Sequence, residues 1–324
     1  MFDIISIGDA TLDTFIDLES AKVICHDTKR KGHCYLCLDY AEKTPIYSLI
    51  KKVAGNAANN AVGSARLGLK AAFWTIIGED DTGRLVTSTM KKESVDTRFV
   101  QIAKGTESNF TVVLNYQGER TQQVYRQPRE YKLPKLNHTK WVYLTAMGKE
   151  YHLVVDPLIK FINENNISLA YNPGKEQITC NIKKCKKIID ICKVLFVNRE
   201  EAQEIIAKNH SNIKTILKKL RDLGPEIVVV TDGPDGSYVY DGNDIHYLSV
   251  WPSKLVERTG AGDAYATAFV AALFYKKNID EAMKWGTINS ASVIGQVGPQ
   301  DGLLTLNKLK KIVNSKKSFK AKKI

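Results

Sequence analysis

The 324-residue chain has no stretch near the roughly 20 consecutive apolar residues that a membrane-spanning helix needs, so no membrane role is expected. Its first residues, Met1-Phe2-Asp3-Ile4-Ile5-Ser6-Ile7-Gly8, lack the basic region and cleavage pattern of an export signal and read instead as a buried strand. Cysteine is sparse, at six residues, and without an export signal these are expected to be reduced thiols in a cytoplasmic protein. Two nucleotide signatures are missing. No G-x-G-x-x-G follows the first strand, which disfavours a nicotinamide dehydrogenase, and no G-x-x-x-x-G-K-[ST] occurs, which disfavours a P-loop NTPase. Internal repeats, low-complexity segments and clear linkers are absent too, so one domain is the simplest organisation.

Acidic residues are missing from 303–324, where eight lysines (308, 310, 311, 316, 317, 320, 322, 323) stand alone. They supply eight of the net +12, leaving an unremarkable +4 for the rest of the chain, so a specific nucleic-acid role is not expected. Residues 315–324 read as a frayed, solvated basic tail behind a domain over 1–314.

Apolar content of 44% is enough for one large α/β core or two smaller ones. Val/Ile-rich strands alternate with helical patterns: strands at 3–7, 70–77, 141–145, 168–171, 194–197 and 226–230, and helices at 57–67, 82–93, 152–165, 199–208 and 213–223. That rhythm predicts an α/β fold with a mostly parallel central sheet covered on both faces. Two regions break it. Segment 14–46 holds strand-like pieces with no helix between them, and 109–126 reads as a hairpin turning at Gln117-Gly118. Both suit a small inserted β-sheet lid.

The densest chemical signal is Thr259-Gly260-Ala261-Gly262-Asp263-Ala264, just before the apolar run Tyr265–Phe274. A helix start leaves backbone N–H groups without partners, and the small residues 260–262 let an anion approach them. Asp263 would stand beside that anion, where a carboxylate is useful as a base that deprotonates an attacking hydroxyl. The plainer alternative is an ordinary helix start with a favourable first-turn acid. A second cluster, Ala54-Gly55-Asn56-Ala57-Ala58-Asn59-Asn60, offers close backbone approach and amides that both donate and accept. A third, Gly8-Asp9-Ala10-Thr11-Leu12-Asp13, ends the first strand, where open α/β sheets bind ligands. Asn198-Arg199-Glu200-Glu201 reads either as a capping box or as an organiser of Mg²⁺ and its waters. Thr231-Asp232-Gly233-Pro234-Asp235-Gly236 is a turn able to receive nucleotide phosphates or simply to lead into the next strand.

In this order the clusters resemble the ribokinase family, also called the PfkB carbohydrate kinases, from about Phe2 to Val313. Landmarks such as Ala65-Arg66-Leu67-Gly68, Ile77-Gly78-Glu79-Asp80-Asp81-Thr82-Gly83 and Gly118-Glu119-Arg120-Thr121 are similar as well. The resemblance implies a three-layer ribokinase-like fold and ATP- and Mg²⁺-dependent phosphorylation of a sugar hydroxyl. Asp263 would be the base and Gly260, Ala261 and Gly262 the anion hole. Asp13, Gly55 and Asn59, with Asn56 and Thr11, would hold the acceptor. Thr231, Gly233, Gly236 and Asn289 would line the nucleotide site, and Asn198 and Glu201 would organise Mg²⁺. A lid sheet that doubles as a homodimer interface is also implied.

Family members usually carry Asp at the position of Glu257, which helps bind an activating monovalent cation; the longer Glu, followed by Arg258, leaves such a requirement open. A nucleoside kinase of the same family is the alternative function, with Phe15, Tyr35, Phe110 or Tyr125 available to stack a base. Lid arginines Arg120 and Arg126 leave a phosphosugar acceptor open. Cys25-His26 and His33-Cys34-x-x-Cys37 have partly zinc-like spacing, although 34–40 also suits a lid strand and no second C-x-x-C exists.

Overall fold

A computed structural model describes residues 1–26, 33–207, 210 and 212–324. The chain opens with β1 (Phe2–Ile7), then runs through β2 (Thr11–Leu18), β3 (Lys22–His26), β4 (His33–Cys37) and β5 (Ile46–Ala54) with no helix between them. There follow α1 (Asn56–Arg66), β6 (Ala71–Trp74), β7 (Ile76–Gly78), α2 (Asp81–Lys92), β8 (Gln101–Ala103), β9 (Phe110–Tyr116) and β10 (Glu119–Tyr125). The middle comprises β11 (Thr139–Leu144), α3 (His152–Asn165), β12 (Ser168–Tyr171), α4 (Lys175–Cys180), α5 (Ile182–Ile191), β13 (Val194–Asn198), α6 (Arg199–Ile205) and α7 (Ile213–Arg221). The last part adds β14 (Ile227–Thr231), β15 (Ser237–Tyr240), β16 (Ile245–Leu248), α8 (Ala261–Phe274), α9 (Ile279–Val293), α10 (Leu306–Ser315) and β17 (Lys322–Lys323).

The main sheet has the order β17-β16-β15-β14-β13-β12-β11-β1-β6, parallel from β6 to β14 and antiparallel beyond. Side chains alternate across β1: Ile5 and Ile7 join the core under α3, α5, α6 and α7, while Ile4 joins the core under α8, α9 and α10. This is the three-layer arrangement expected. The strand order reverses between β1 and β11, which opens a crevice beyond their carboxyl ends. No helix among the described residues is long and apolar enough to cross a membrane.

A separate four-stranded sheet, β10-β9-β2-β5, stands over that crevice. Segment 109–126 forms its β9–β10 hairpin, and the turn residues Gln117 and Gly118 both have positive φ, 51° and 82°. Segment 14–46 divides differently from the sequence expectation. Residues 34–40 do not enter this sheet: β4 pairs with β3 in a hairpin of its own, and the strand beside β2 is β5, residues 46–54. Residues 27–32, and Lys208 at the end of the expected helix 199–208, lie outside the described residues.

The cysteine expectations need two corrections. The β3–β4 register sets Cys25 opposite Cys34, and the two are joined in a disulfide, so not all thiols are reduced. Disulfide sulfurs are not thiolate ligands, which removes two of the three cysteines with zinc-like spacing; Cys37, Cys180, Cys185 and Cys192 are free. The tail is corrected as well. Phe319 packs edge-on against Trp251, Ala321 is buried, and β17 extends the main sheet by pairing with β16.

Candidate active site

The site begins with α8. Its N-cap, Gly260, has φ 80°, and a Cβ there would lie 2.5 Å from the Cβ of Pro299, so only glycine makes this turn. The N–H of Ala264 bonds to Gly260 O at 2.8 Å, and that of Ala261 reaches Arg258 O at 3.3 Å. The N–H groups of Gly260, Gly262 and Asp263 meet no acceptor among the described residues. The turn thus presents unpartnered backbone donors, while the N–H of Ala261 bonds within its own loop. A Cβ at Gly262 would meet nothing within 4 Å. The backbone here faces open space.

Asp263 follows in the first turn and is 7% exposed. Asn59 of α1 donates from Nδ2 to its Oδ2 at 2.8 Å, and Gln300 donates to Asn59 Oδ1 at 3.1 Å. Burial raises the Asp263 carboxyl to about 6, against the opposing effect of the Asn59 and Asn56 amides. A second set of bonds joins α1 to α8. Asn60 donates to Thr267 Oγ1 at 2.9 Å, Thr267 donates to Asp263 O at 2.6 Å, and Ser6 donates to Asn60 Oδ1 at 2.6 Å. Gly55, the N-cap of α1 with φ 101°, seats the helix against β1's exit: a Cβ there would sit 2.5 Å from Asp9 O.

Two cavities meet at this turn. The first, of about 400 Å³, lies between the small sheet and the main body; Thr11, Asp13, Gly55, Asn56, Asn59, Gly260, Ala261, Gly262 and Asp263 all line it. Asn198 and Glu201 line its far side. Asp13 is buried on β2, with Thr11 and Thr111 beside it, and burial pushes its carboxyl to about 6. Asp9 is likewise raised to about 6 by burial while accepting from Tyr131 OH at 2.7 and 2.9 Å. The second cavity, of about 410 Å³, has apolar walls from Trp251, Leu255, Ala291 and Ile294, and Thr231, Gly233 and Gly236 form its edge. Thr231, Arg258, Ala261, Gly262 and Tyr265 belong to both.

Asn289 is the one expected site residue that lines neither. It is buried between helices, donating to Ala264 O at 2.8 Å and accepting from Leu304 N at 3.0 Å, so its amide is spent holding α9 against α8. Asn198 and Glu201 form both bonds of a capping box, at 2.8 and 2.9 Å, through Asn198 Oδ1 and Glu201 Oε2. The Asn198 N–H engages only Oε2 of Glu201, which lines the first cavity, and burial raises its carboxyl to about 7.

Arg120 of β10 reaches across the cleft. Its Nη1 donates to Glu257 Oε1 at 2.5 Å and to Thr259 Oγ1, and Thr259 N also donates to Glu257 Oε1 at 2.7 Å. Glu257 Oε2 is buried with no partner among the described residues. The guanidinium thus ties the small sheet to the loop that leads into the α8 turn, a link across 137 residues of sequence. With the acceptor expected in the first cavity and the nucleotide in the second, Arg120→Ala should raise the acceptor KM about tenfold while changing the nucleotide KM little, because Arg120 lines only the first cavity. Equal rises in both constants in steady-state kinetics would show that the contact does not belong to the acceptor side.

A 5-dehydro-2-deoxygluconokinase of Shouchella clausii (strain KSM-K16) is 27% identical over 289 residues, covering 82% of this chain and 87% of that protein. The solved nucleoside kinase of Methanocaldococcus jannaschii, an archaeal member of the ribokinase family, superposes with a TM-score of 0.78 at 19% identity, over 97% of this chain and 99% of that one. Arabidopsis thaliana ribokinase complexed with ribose and ATP gives a TM-score of 0.78 at 17% identity, over 96% and 98% of the two chains. The solved structures share the fold. The model for pfkB family carbohydrate kinases matches residues 31–306, so this chain belongs to that family of phosphotransferases acting on alcohol groups.

Proposed function

We propose that the chain transfers the γ-phosphoryl group of ATP to a hydroxyl of a sugar, with Asp263 as the base. One observation carries this reading: a buried carboxylate and unpartnered N–H donors stand where a polar cavity and an apolar cavity meet. The acceptor enters the polar cavity, held by Asp13 and Asn59 with Thr11, Gly55 and Asn56 around it. The nucleotide enters the apolar cavity over Thr231, Gly233 and Gly236. The N–H groups of Gly260, Gly262 and Asp263 receive the migrating phosphoryl group, and Asp263 accepts the hydroxyl proton as attack develops. In-line transfer needs position and charge neutralisation more than covalent help from the protein.

The donor set beside the turn fits Mg²⁺. Glu201 Oε1 is a single carboxylate oxygen whose ionisation burial discourages until a cation arrives, and Asn198 stands next to it. One carboxylate suits an ion that keeps several waters and takes its other ligands from phosphates. When bound, Mg²⁺ supplies neutralisation of phosphate charge.

The sugar reading is favoured over a nucleoside by the small sheet. None of Phe15, Tyr35, Phe110 and Tyr125 lines the acceptor cavity; Phe15 is 1% exposed, and Tyr125 bonds to Glu107. The sheet presents Arg120, Gln122, Val124 and Arg126 there instead. Arg126 lines this cavity, where its charge acts on Asp9, and a guanidinium there suits an acidic sugar such as the one in the name of the Shouchella clausii relative. The test is acceptor-dependent ADP release from ATP over neutral sugars, sugar acids, phosphosugars and nucleosides. No acceptor-dependent release would end the reading, and preference for nucleosides would replace it.

The same sheet has an outer face suited to a second copy of the chain. β5 is its edge strand, with Tyr47 75% and Leu49 53% exposed. Sedimentation equilibrium is expected to show a dimer that Leu49→Asp dissociates; a monomeric wild type would dismiss the assignment.

A further inference from the structure

The last segment of the chain is packed against the wall of the apolar cavity. Trp251 lines that cavity, and the Phe319 ring meets it edge-on, with centroids 5.0 Å apart and planes at 85°. Lys316 Nζ stands 5.3 Å from the centroid of the same indole. Neither contact is loosely held. Lys284, buried on α9, donates from Nζ to Lys316 O at 2.6 Å, so the segment is fixed at its start. At its end, Ile324 N bonds to Ile245 O at 2.9 Å, Lys322 and Lys323 pair with Tyr247 and His246, and Lys323 Nζ meets Asp244.

The wall itself has little internal support. Residues 249–257 form neither helix nor strand, and Val250 and Leu255, which also line the cavity, are largely exposed. A loop without its own ladder of hydrogen bonds keeps its shape through what packs against it. Its later part is tied to α9 by Val256 N and Glu257 N, both bonded to Ile294 O. Its earlier part is tied by the aromatic contact to Phe319 and the ammonium of Lys316 over the indole.

We propose that residues 316–324 form a strap that holds Trp251 in place as the wall for the nucleotide base, so that this segment sets affinity for the base without touching the reacting groups. This rests on assigning the apolar cavity to the nucleotide. Phe319 and Lys316 are positioning residues acting through Trp251, and an aromatic base offers the apolar face such a wall recognises.

The experiment is steady-state kinetics on the full-length protein and on Phe319→Ala, Phe319→Tyr, Lys316→Gln and Trp251→Ala, with tripolyphosphate as a competitor that lacks a base. Phe319→Ala is expected to raise the ATP KM about three- to tenfold, with kcat and the acceptor KM within twofold of wild type. Its tryptophan emission should shift to the red, tripolyphosphate inhibition should stay unchanged, and Phe319→Tyr should restore the ATP KM. If Phe319→Ala does not fold, Lys316→Gln must show the same selective rise in ATP KM. An unchanged ATP KM in the strap variants beside a raised one in Trp251→Ala overturns the strap while leaving the nucleotide cavity standing. An unchanged ATP KM in Trp251→Ala overturns the cavity assignment itself. Parallel rises in both KM values reduce the segment to general structural support and overturn the proposal.

Discussion

Asp263→Asn is expected to fold, to melt at a higher temperature than wild type, and to lose turnover by about 10²-fold or more. The loss follows from the geometry: the amide keeps the contact to Asn59 but cannot accept a hydroxyl proton. The gain in stability follows from the carboxyl's burial. Its pKa rises from an ordinary 3.8 to about 6 in the folded chain, so the folded state binds that proton more tightly than the unfolded state does. The stabilisation this brings is fully present below about pH 3.8 and is lost as pH rises through about 6. At neutral pH the folded protein therefore carries the cost of an ionised buried acid, roughly 3 kcal/mol when the pKa rise is converted at 1.36 kcal/mol per tenfold. Removing the charge recovers part of it, visible as a Tm higher by about 2–5 °C. An unchanged or lower Tm with near-wild-type turnover would remove Asp263 from the base role.

The same shift predicts an acid limb near pH 6 in kcat/KM, with activity falling as the base becomes protonated. Asp13 and Asp9 rise to about 6 and Glu201 to about 7 in the same cavity, so the limb needs assignment. Asp13→Asn should weaken acceptor binding and keep the limb. Its disappearance in that variant would assign it to Asp13.

Gly262→Ala is expected to leave Tm unchanged or slightly raised while lowering kcat/KM about 10²-fold, in the range set by losing one anion-hole donor. The position lies in the first turn of α8 without positive φ, and alanine is the better helix former by up to about 1 kcal/mol. The added methyl meets no protein atom within 4 Å and projects at the junction of the two cavities, where the phosphoryl group must pass. Thermal melts with steady-state rates separate this from Gly260→Ala, where φ 80° and the clash with Pro299 should lower Tm directly. Activity within threefold of wild type in Gly262→Ala would exclude the turn from anion binding.

Much of the fold was legible because period and punctuation agreed. α3 and β12 have the bounds the pattern predicts, 152–165 and 168–171. α9 escaped for a physical reason: it is buried on almost every side, with Gly286 facing Tyr265, and shows no polar stripe to set a period. β5 carries apolar residues on both faces and two lysines, Lys51 and Lys52, so alternation is blurred. The tail was misread because lysines announce solvent, whereas its anchors are Phe319, Ala321 and backbone pairing. In the site, Asp263, Asn59 and Asp13 were legible from short motifs that carry their own geometry. The Arg120–Glu257 link and the Trp251 wall were not, since each joins residues far apart with no local spacing to betray them. Asn289 entered through the resemblance alone, and in the structure its amide fastens α9 to α8 and to Leu304.

The bonds from Asn60 to Thr267 and from Asn59 to Asp263 bolt α1 to α8, so under the proposed function the helix beside the acceptor and the helix carrying the base are held together. The distance between attacking oxygen and base is then a property of the scaffold, laid down at folding. Evolution can accordingly rewrite which acceptor is admitted, by exchanging side chains on β9 and β10, without retuning the chemistry beneath.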